Sequence, residues 1–286
     1  MLQNTKVCLY PRDPEEAVRI LSEKGKQALV VAGGTTAALS KDPNVSTLVD
    51  ITRIGQDRIE HKDDQWLIGC NVRIQQLAEH AGLAELYDGM LVDSAKAVGS
   101  RPIRNAVTLG GNVVQLFRWS DPPVALFAMD AEFDLIGPEG RRSLAADDFF
   151  KKHPRKVLGA SEILTGVRIR KPKQPCGGAF SKYARTAFDL AVVDAAVCLG
   201  LEGKKCSNAR IVVGATRNVP WRAIAAEELL NGKRLTSSVI EKAAIAARQA
   251  VKTADTVRTT REYRQQMVEV IVRRTIEQAA ACAKEQ

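Results

Sequence analysis

The chain has 286 residues, 45% of them hydrophobic and 26% charged, and its formal net charge is +9. That length builds one large or two modest domains around a sizeable core, and the composition is that of a soluble globular protein. A membrane-spanning protein is excluded because no apolar run approaches a bilayer span, and a nucleic-acid binder because basic residues are scattered, aromatics are only 5% and no nucleic-acid motif is present.

Residues 14–24 predict a helix. Pro14 opens it, Glu15 and Glu16 suit its first turn, Gly25 ends it, and Ala17, Val18, Ile20 and Leu21 form its apolar face. An apolar run over 28–32 predicts a buried strand that enters the turn Gly33-Gly34-Thr35-Thr36. Strands are predicted at 47–51, around 58–61 and at 66–70, then a helix over 73–80. Arg101-Pro102 predicts an extended approach to Val107-Thr108-Leu109, a β-friendly run that enters Gly110-Gly111-Asn112. A helix follows over 124–129, for which Asp121 is a natural N-cap with Pro122 just inside. Residues 132–136 and 141–144 read as a hairpin around Gly137-Pro138-Glu139-Gly140. Lys171-Pro172-Lys173-Gln174-Pro175 is a polar linker and places a domain boundary, giving domains 1–173 and 174–286. Strands over 178–185, 191–201 and 209–214 make an antiparallel meander, and apolar periodicity predicts helices over 221–230, 236–252 and 261–283.

The two Gly-Gly turns carry the chemistry. Each removes Cβ atoms at successive positions, so a ligand can approach the backbone and N–H groups can form an anion-binding nest. Thr108 and Asn112 flank the second with a hydroxyl and an amide. Either turn alone reads more readily as a plain tight turn, but two strand-to-Gly-Gly loops suit a ligand with a central pyrophosphate. Neither is a Walker A or a GxGxxG fingerprint. Arg101 and Arg104 are placed to meet phosphate or to pair with neighbouring acids. The six cysteines form no CxxC and the three histidines have no metal spacing, so no zinc, iron–sulfur or other metal site is expected in this chain. The N-terminus lacks the apolar stretch of a secretory signal, and cytoplasmic location is the expectation.

AGGTT at Ala32–Thr36 resembles the AGGTD-type loop, and RNAVTLGGN at Arg104–Asn112 the RNxATIGGN loop, of the FAD-binding medium subunits of molybdenum hydroxylases. These belong to the carbon monoxide dehydrogenase, xanthine dehydrogenase and hydroxybenzoyl-CoA reductase group. Asp121 stands where that family has an Asp; Asp147-Asp148-Phe149-Phe150 resembles its DFF element, and residues 161–169 its E-I-L-T-x-V-x-I strand. Asp255, Arg258, Tyr263 and Arg264 resemble a late segment read here as structural and subunit-contacting. The resemblance implies an α+β fold: a two-subdomain FAD-binding domain of PCMH type over 1–173, then a smaller C-terminal domain with a three-stranded antiparallel sheet and helices. It implies noncovalent FAD, since neither loop holds a histidine. The cofactor contacts it implies are Val30, Val31, Ala32, Gly33, Gly34, Thr35, Thr36, Ala37, Val98, Thr108, Leu109, Gly110, Gly111, Asn112, Asp121, Ile163, Leu164 and Lys182, with no catalytic side chain. A lysine beside the flavin would stabilise negative charge on the reduced ring; a solvated strand lysine is the alternative for Lys182.

In the resembled enzymes a large molybdopterin subunit oxidises the substrate, and two [2Fe-2S] clusters on a small subunit pass electrons to FAD and on to an external acceptor such as NAD or another carrier. The alternatives are a stand-alone FAD-dependent oxidase or dehydrogenase with its own small substrate, and a non-catalytic nucleotide-binding module. The chain departs from the family at Thr36, usually Asp, and at Gln115-Leu116-Phe117-Arg118-Trp119, where small residues with proline are usual. Phe117 and Trp119 read either as flavin-packing or as core residues.

Overall fold

The computed structural model describes residues 4–285. In chain order the elements begin β1 (Val7–Leu9), α1 (Pro14–Lys24), β2 (Ala28–Val31), β3 (Thr47–Asp50), β4 (Ile59–Lys62) and β5 (Gln65–Gly69). Then come α2 (Ile74–Glu79), α3 (Ala81–Glu85), α4 (Met90–Lys96), α5 (Arg101–Ala106), α6 (Leu109–Gln115) and α7 (Pro122–Ala128). The chain continues with β6 (Glu132–Gly137), β7 (Gly140–Ala145), α8 (Ala146–Phe149), β8 (Ile163–Arg170) and β9 (Cys176–Tyr183). It ends with β10 (Val193–Glu202), β11 (Lys205–Gly214), β12 (Trp221–Arg222), α9 (Ile224–Leu230), α10 (Ser237–Ala250) and α11 (Arg261–Glu285). No helix among the described residues is long and apolar enough to cross a membrane.

These residues form two compact units, each assembled from separated stretches. Unit 1 comprises 4–76, 100–115 and 131–170; unit 2 comprises 77–99, 116–130 and 171–285.

Unit 1 holds a parallel sheet ordered β1-β3-β2 and an antiparallel sheet ordered β4-β5-β8-β6-β7. Helix α1 has the predicted bounds, and Asp13 caps it by accepting the Glu16 N–H at 2.7 Å. Its buried residues Ala17, Val18, Ile20 and Leu21 face β3, β6 and β8. Phe133 stacks on Phe149 with centroids 4.0 Å apart, and Phe150 meets both edge-on. The DFF segment is thus a core plug, worth about 0.5–1.5 kcal/mol per ring pair beyond its burial. Strand β2 was expected to be buried. It lies at a sheet edge and all four residues are half-buried, which leaves the turn after it accessible.

Unit 2 is built on a sheet ordered β12-β11-β10-β9. Three strands are those expected; the fourth is the two-residue β12, so the predicted helix over 221–230 starts only at Ile224. Alternate residues of a strand face opposite sides. In β10, Val193, Ala195, Val197 and Leu199 join the apolar core that includes residues of α9, α10 and α11. Asp194, Ala196 and Cys198 therefore point to the other side, where α4 packs on β9 and α7 on β10 and β11.

Candidate functional site

In unit 1 the first Gly-Gly turn packs against Ala106, the last residue of α5, four residues before the second. Strand β2 delivers Val30 and Val31 to Ala32-Gly33-Gly34-Thr35-Thr36, and Ala37 starts a 3-10 turn. A Cβ on Gly33 would strike the carbonyl oxygen of Ala106, so glycine is required for the first turn to lie against the end of α5. Arg73 locks the junction: its guanidinium donates to that Ala106 oxygen at 2.6 Å. Gly34 differs from its neighbour. It has φ +72°, and a Cβ there would meet nothing within 4 Å. The N–H groups of Gly33, Gly34, Thr35 and Thr36 donate to no other described residue.

The second turn has a different construction from the one its sequence suggests. Arg101-Pro102 opens α5 rather than an extended approach; the extended residue is Ser100, and Pro102 sits in the first turn, where its absent N–H is no loss. Val107-Thr108-Leu109 is not a full strand. Thr108 makes a single bridge to Arg73, and α6 begins at Leu109, so Gly110, Gly111 and Asn112 are helical. The cause is a set of bonds that outweighs the poor helix propensity of two glycines. Leu109 N–H donates to Val72 O and Gly110 N–H to Cys70 O, both at 2.8 Å. Gly111 N–H donates to Thr108 Oγ1 at 3.1 Å and Asn112 N–H to Thr108 O at 2.9 Å. Unengaged backbone donors are therefore found at the first turn, whereas those of the second are taken up within the protein.

The glycines repeat one division of labour. Gly33 and Gly110 are the close-packed members, a Cβ on Gly110 lying 2.7 Å from Cys70 Cβ; Gly34 faces open space, and Gly111 is exposed with only Thr108 Oγ1 near. Burial pushes the Cys70 thiol up to about 12, so it remains an inert packing group. Cys70 also ties in β8, because its N–H donates to Thr165 O at 2.9 Å. Ile163 and Leu164, just before Thr165, are each 3% exposed and pair with Ile136 and Leu135 of β6. Asn112 Oδ1 is buried with no hydrogen-bond partner among the described residues.

Unit 2 gathers the remaining expected residues. Lys182 Nζ donates to Ala97 O at 2.8 Å, beside Val98, and to Asp121 Oδ2 at 3.1 Å. Lys182 is not solvated: its side chain is 12% exposed and that of Asp121 3%. Asp121 precedes α7 but makes no side-chain cap bond, because its carboxylate turns to Lys182 instead. Burial pushes Asp121 up to about 6, with Lys182 working in the opposite direction. Phe117 and Trp119 stack at 5.2 Å with planes 7° apart; the Arg258 guanidinium lies 5.6 Å from the Trp119 ring. The late segment is structural within this unit. Arg264, 2% exposed, donates to Thr253 Oγ1, Ala254 O and Thr256 Oγ1, and the Tyr263 and Tyr183 hydroxyls are 2.6 Å apart.

Two residues escaped the sequence reading. Arg73 carried no signal, since a charged residue at a helix start is ordinary. Asp194, wholly buried beside Asp121, did carry one: it is an acid inside the apolar run 191–201.

Comparison with known proteins follows from this geometry. Residues 3–172 match the family model for the FAD binding domain in molybdopterin dehydrogenase, and residues 178–279 that for the CO dehydrogenase flavoprotein C-terminal domain. The chain is 30% identical over 278 residues to the carbon monoxide dehydrogenase medium chain of Afipia carboxidovorans, covering 96% of each. It is 25% identical over 275 residues to the xanthine dehydrogenase FAD-binding subunit of Escherichia coli O157:H7, covering 94% of each. Among solved structures, a carbon monoxide dehydrogenase from Hydrogenophaga pseudoflava superposes with TM-score 0.92 at 28% identity, covering 99% of each chain.

Proposed function

We propose the working of this chain from one premise: it belongs to the family of FAD-binding medium subunits of the molybdopterin dehydrogenases, and is an oxidoreductase component with FAD as its cofactor. The finer reading is electron transfer. The chain takes electrons from [2Fe-2S] clusters of a small partner subunit, fed by a large molybdopterin subunit, and gives them to an external acceptor such as NAD or another carrier. The domains proposed for this work are 1–173 for FAD and 174–286 for the flavoprotein C-terminal part, in a cytoplasmic complex.

The residues fit a pyrophosphate. The N–H groups of Gly33, Gly34, Thr35 and Thr36 are unengaged among the described residues and Gly34 leaves open space beside them, which suits them to phosphate oxygens. This cradle is the observation that carries the reading. The second turn acts as its rigid wall, with the orphaned Asn112 Oδ1 able to accept from a ligand hydroxyl or N–H. When bound, FAD supplies exchange between one-electron and two-electron carriers. The chain's own part is to bind and orient. Val30, Val31, Ala32 and Ala37 support the cradle; Thr108, Leu109, Gly110 and Gly111 support the wall, and Ile163 and Leu164 support the strand tied to it. Val98, Asp121 and Lys182 are proposed as further contacts, Lys182 contributing positive charge.

The test is purification of the full chain with its absorbance spectrum and titration with FAD. One FAD per chain is expected, with uptake reduced at least tenfold in Gly34→Val, whose side chain would fill the cradle at a left-handed backbone position. A folded chain that takes up no FAD refutes the reading.

A further inference from the structure

In unit 2 three carboxylate oxygens lie buried with no donor: Asp121 Oδ1 and both oxygens of Asp194. Asp194 is 0% exposed. In register it stands between Lys182 of β9 and Gly214 of β11, so the three positions share one face of the sheet. Gly214 is what makes room. A Cβ there would strike Asp194 Oδ1 and come within 2.6 Å of Val124 Cγ2.

Lys182 does not supply the missing donor. Its ammonium donates to Ala97 O and Asp121 Oδ2. Lys182 from β9 and Asp121 from the start of α7 are the charged groups that face Asp194; β11 presents Gly214 and α7 presents Val124. One cation thus meets two buried acids in contact. Two such carboxyls cannot both ionise away from water, and a hydrogen bond between them requires a proton.

We propose that Asp121 and Asp194 form a buried proton-binding site, holding one proton between their carboxyls, with Asp194 as the positioning residue that fixes Asp121 and, through it, Lys182. The balance of charge is simple. The pair with its proton carries one negative charge, Lys182 carries one positive charge, and the cluster is neutral. Burial drives the pair toward protonation: it is the largest influence raising both acids, and Asp194 is raised further by the Asp121 charge. Because the pair titrates in two separated steps, it presents Lys182 with a constant counter-charge over the pH range between them. The proton site itself does not depend on FAD; only its bearing on Lys182 as a cofactor contact rests on the reading above.

Infrared spectroscopy of the full chain tests this, without and with FAD. At neutral pH the natural chain is expected to show the C=O stretch of one protonated carboxyl, shifted in deuterated water and lost as pH is raised. Asp194→Asn is expected to abolish it, because Asp121, bonded to Lys182, is then left alone and ionises. Asp121→Asn is expected to shift it, because the proton then stays on buried Asp194 without its carboxylate partner. Absence of the band from the natural chain at neutral pH overturns the proposal. So does its persistence in Asp194→Asn, or an unchanged position in Asp121→Asn. FAD uptake on the same samples is read separately by absorbance. A chain that shows the band but binds no FAD retains the proton site and loses the cofactor reading.

Discussion

Single atoms decide how the first turn lies against the end of α5. The Ala106 carbonyl oxygen accepts from Arg73 and lies where a Gly33 Cβ would be. Gly33→Ala must push backbone apart, and overpacking of this kind costs about 1–3 kcal/mol. A lowered denaturant midpoint at unchanged m-value is the expected readout. Arg73→Ala instead leaves that oxygen half-buried without its donor, a loss of about 1–3 kcal/mol. The acid pair makes stability depend on pH. An acid whose folded pKa is raised binds its proton more tightly when folded. Its stabilisation is complete below the unfolded carboxylate range and declines as pH rises through that range toward the folded value. Burial raises both acids of the pair, Asp121 to about 6 and Asp194 further. Asp194→Asn removes the acid that is raised further, and with it the loss of stability that acid imposes as pH rises. Thermal denaturation should show the variant gaining on the natural chain between mildly acidic and neutral pH. A constant difference across that range contradicts the assignment.

Element by element, what was legible depended on whether the deciding contacts were local. Helix α1 was fully readable because Asp13, Pro14, the first-turn acids and Gly25 all act within the helix they bound. The hairpin of β6 and β7 was readable for the same reason. Helix α6 was not. Val107, Thr108 and two glycines favour an extended run, and the bonds that overrule them come from Cys70 and Val72, more than thirty residues away. Thr108 is the local part of that decision, holding the Gly111 N–H by its hydroxyl. Thr108→Val keeps the shape and removes the cap. It should destabilise unit 1 by about 1 kcal/mol and weaken FAD binding, measured by denaturant titration and flavin fluorescence. Both Gly-Gly motifs were legible as a site; which of them offers donors was not, since that depends on bonds the sequence does not display. Asp121 and Lys182 were legible as residues of interest, but their partner Asp194 belongs to no motif and emerged only from strand register.

On the scale of the whole molecule, segment order and contact order diverge. Helices α4 and α7 precede residue 173, yet they belong to unit 2 and pack on β9, β10 and β11. Met90, Leu91, Val124 and Leu126 are buried. A chain cut after residue 173 strips these helices of the sheet that covers them. It should expose apolar surface, bind a hydrophobic dye and resist cooperative thermal unfolding, whereas the intact chain should unfold with a sharp transition. A sharp transition and low dye binding in the fragment would refute this account. The basic balance of 42 Lys and Arg against 33 Asp and Glu adds a long-range bias toward anionic ligands and acidic partner surfaces without altering the fold.

The unequal state of the two turns has a consequence for how the backbone trades hydrogen with solvent. Amides 109–112 already have acceptors inside the protein, whereas those of 33–36 have none among the described residues. Deuterium should therefore enter the first turn rapidly in the empty chain and slow sharply once a dinucleotide is seated, while the second turn, protected from the outset, should change little.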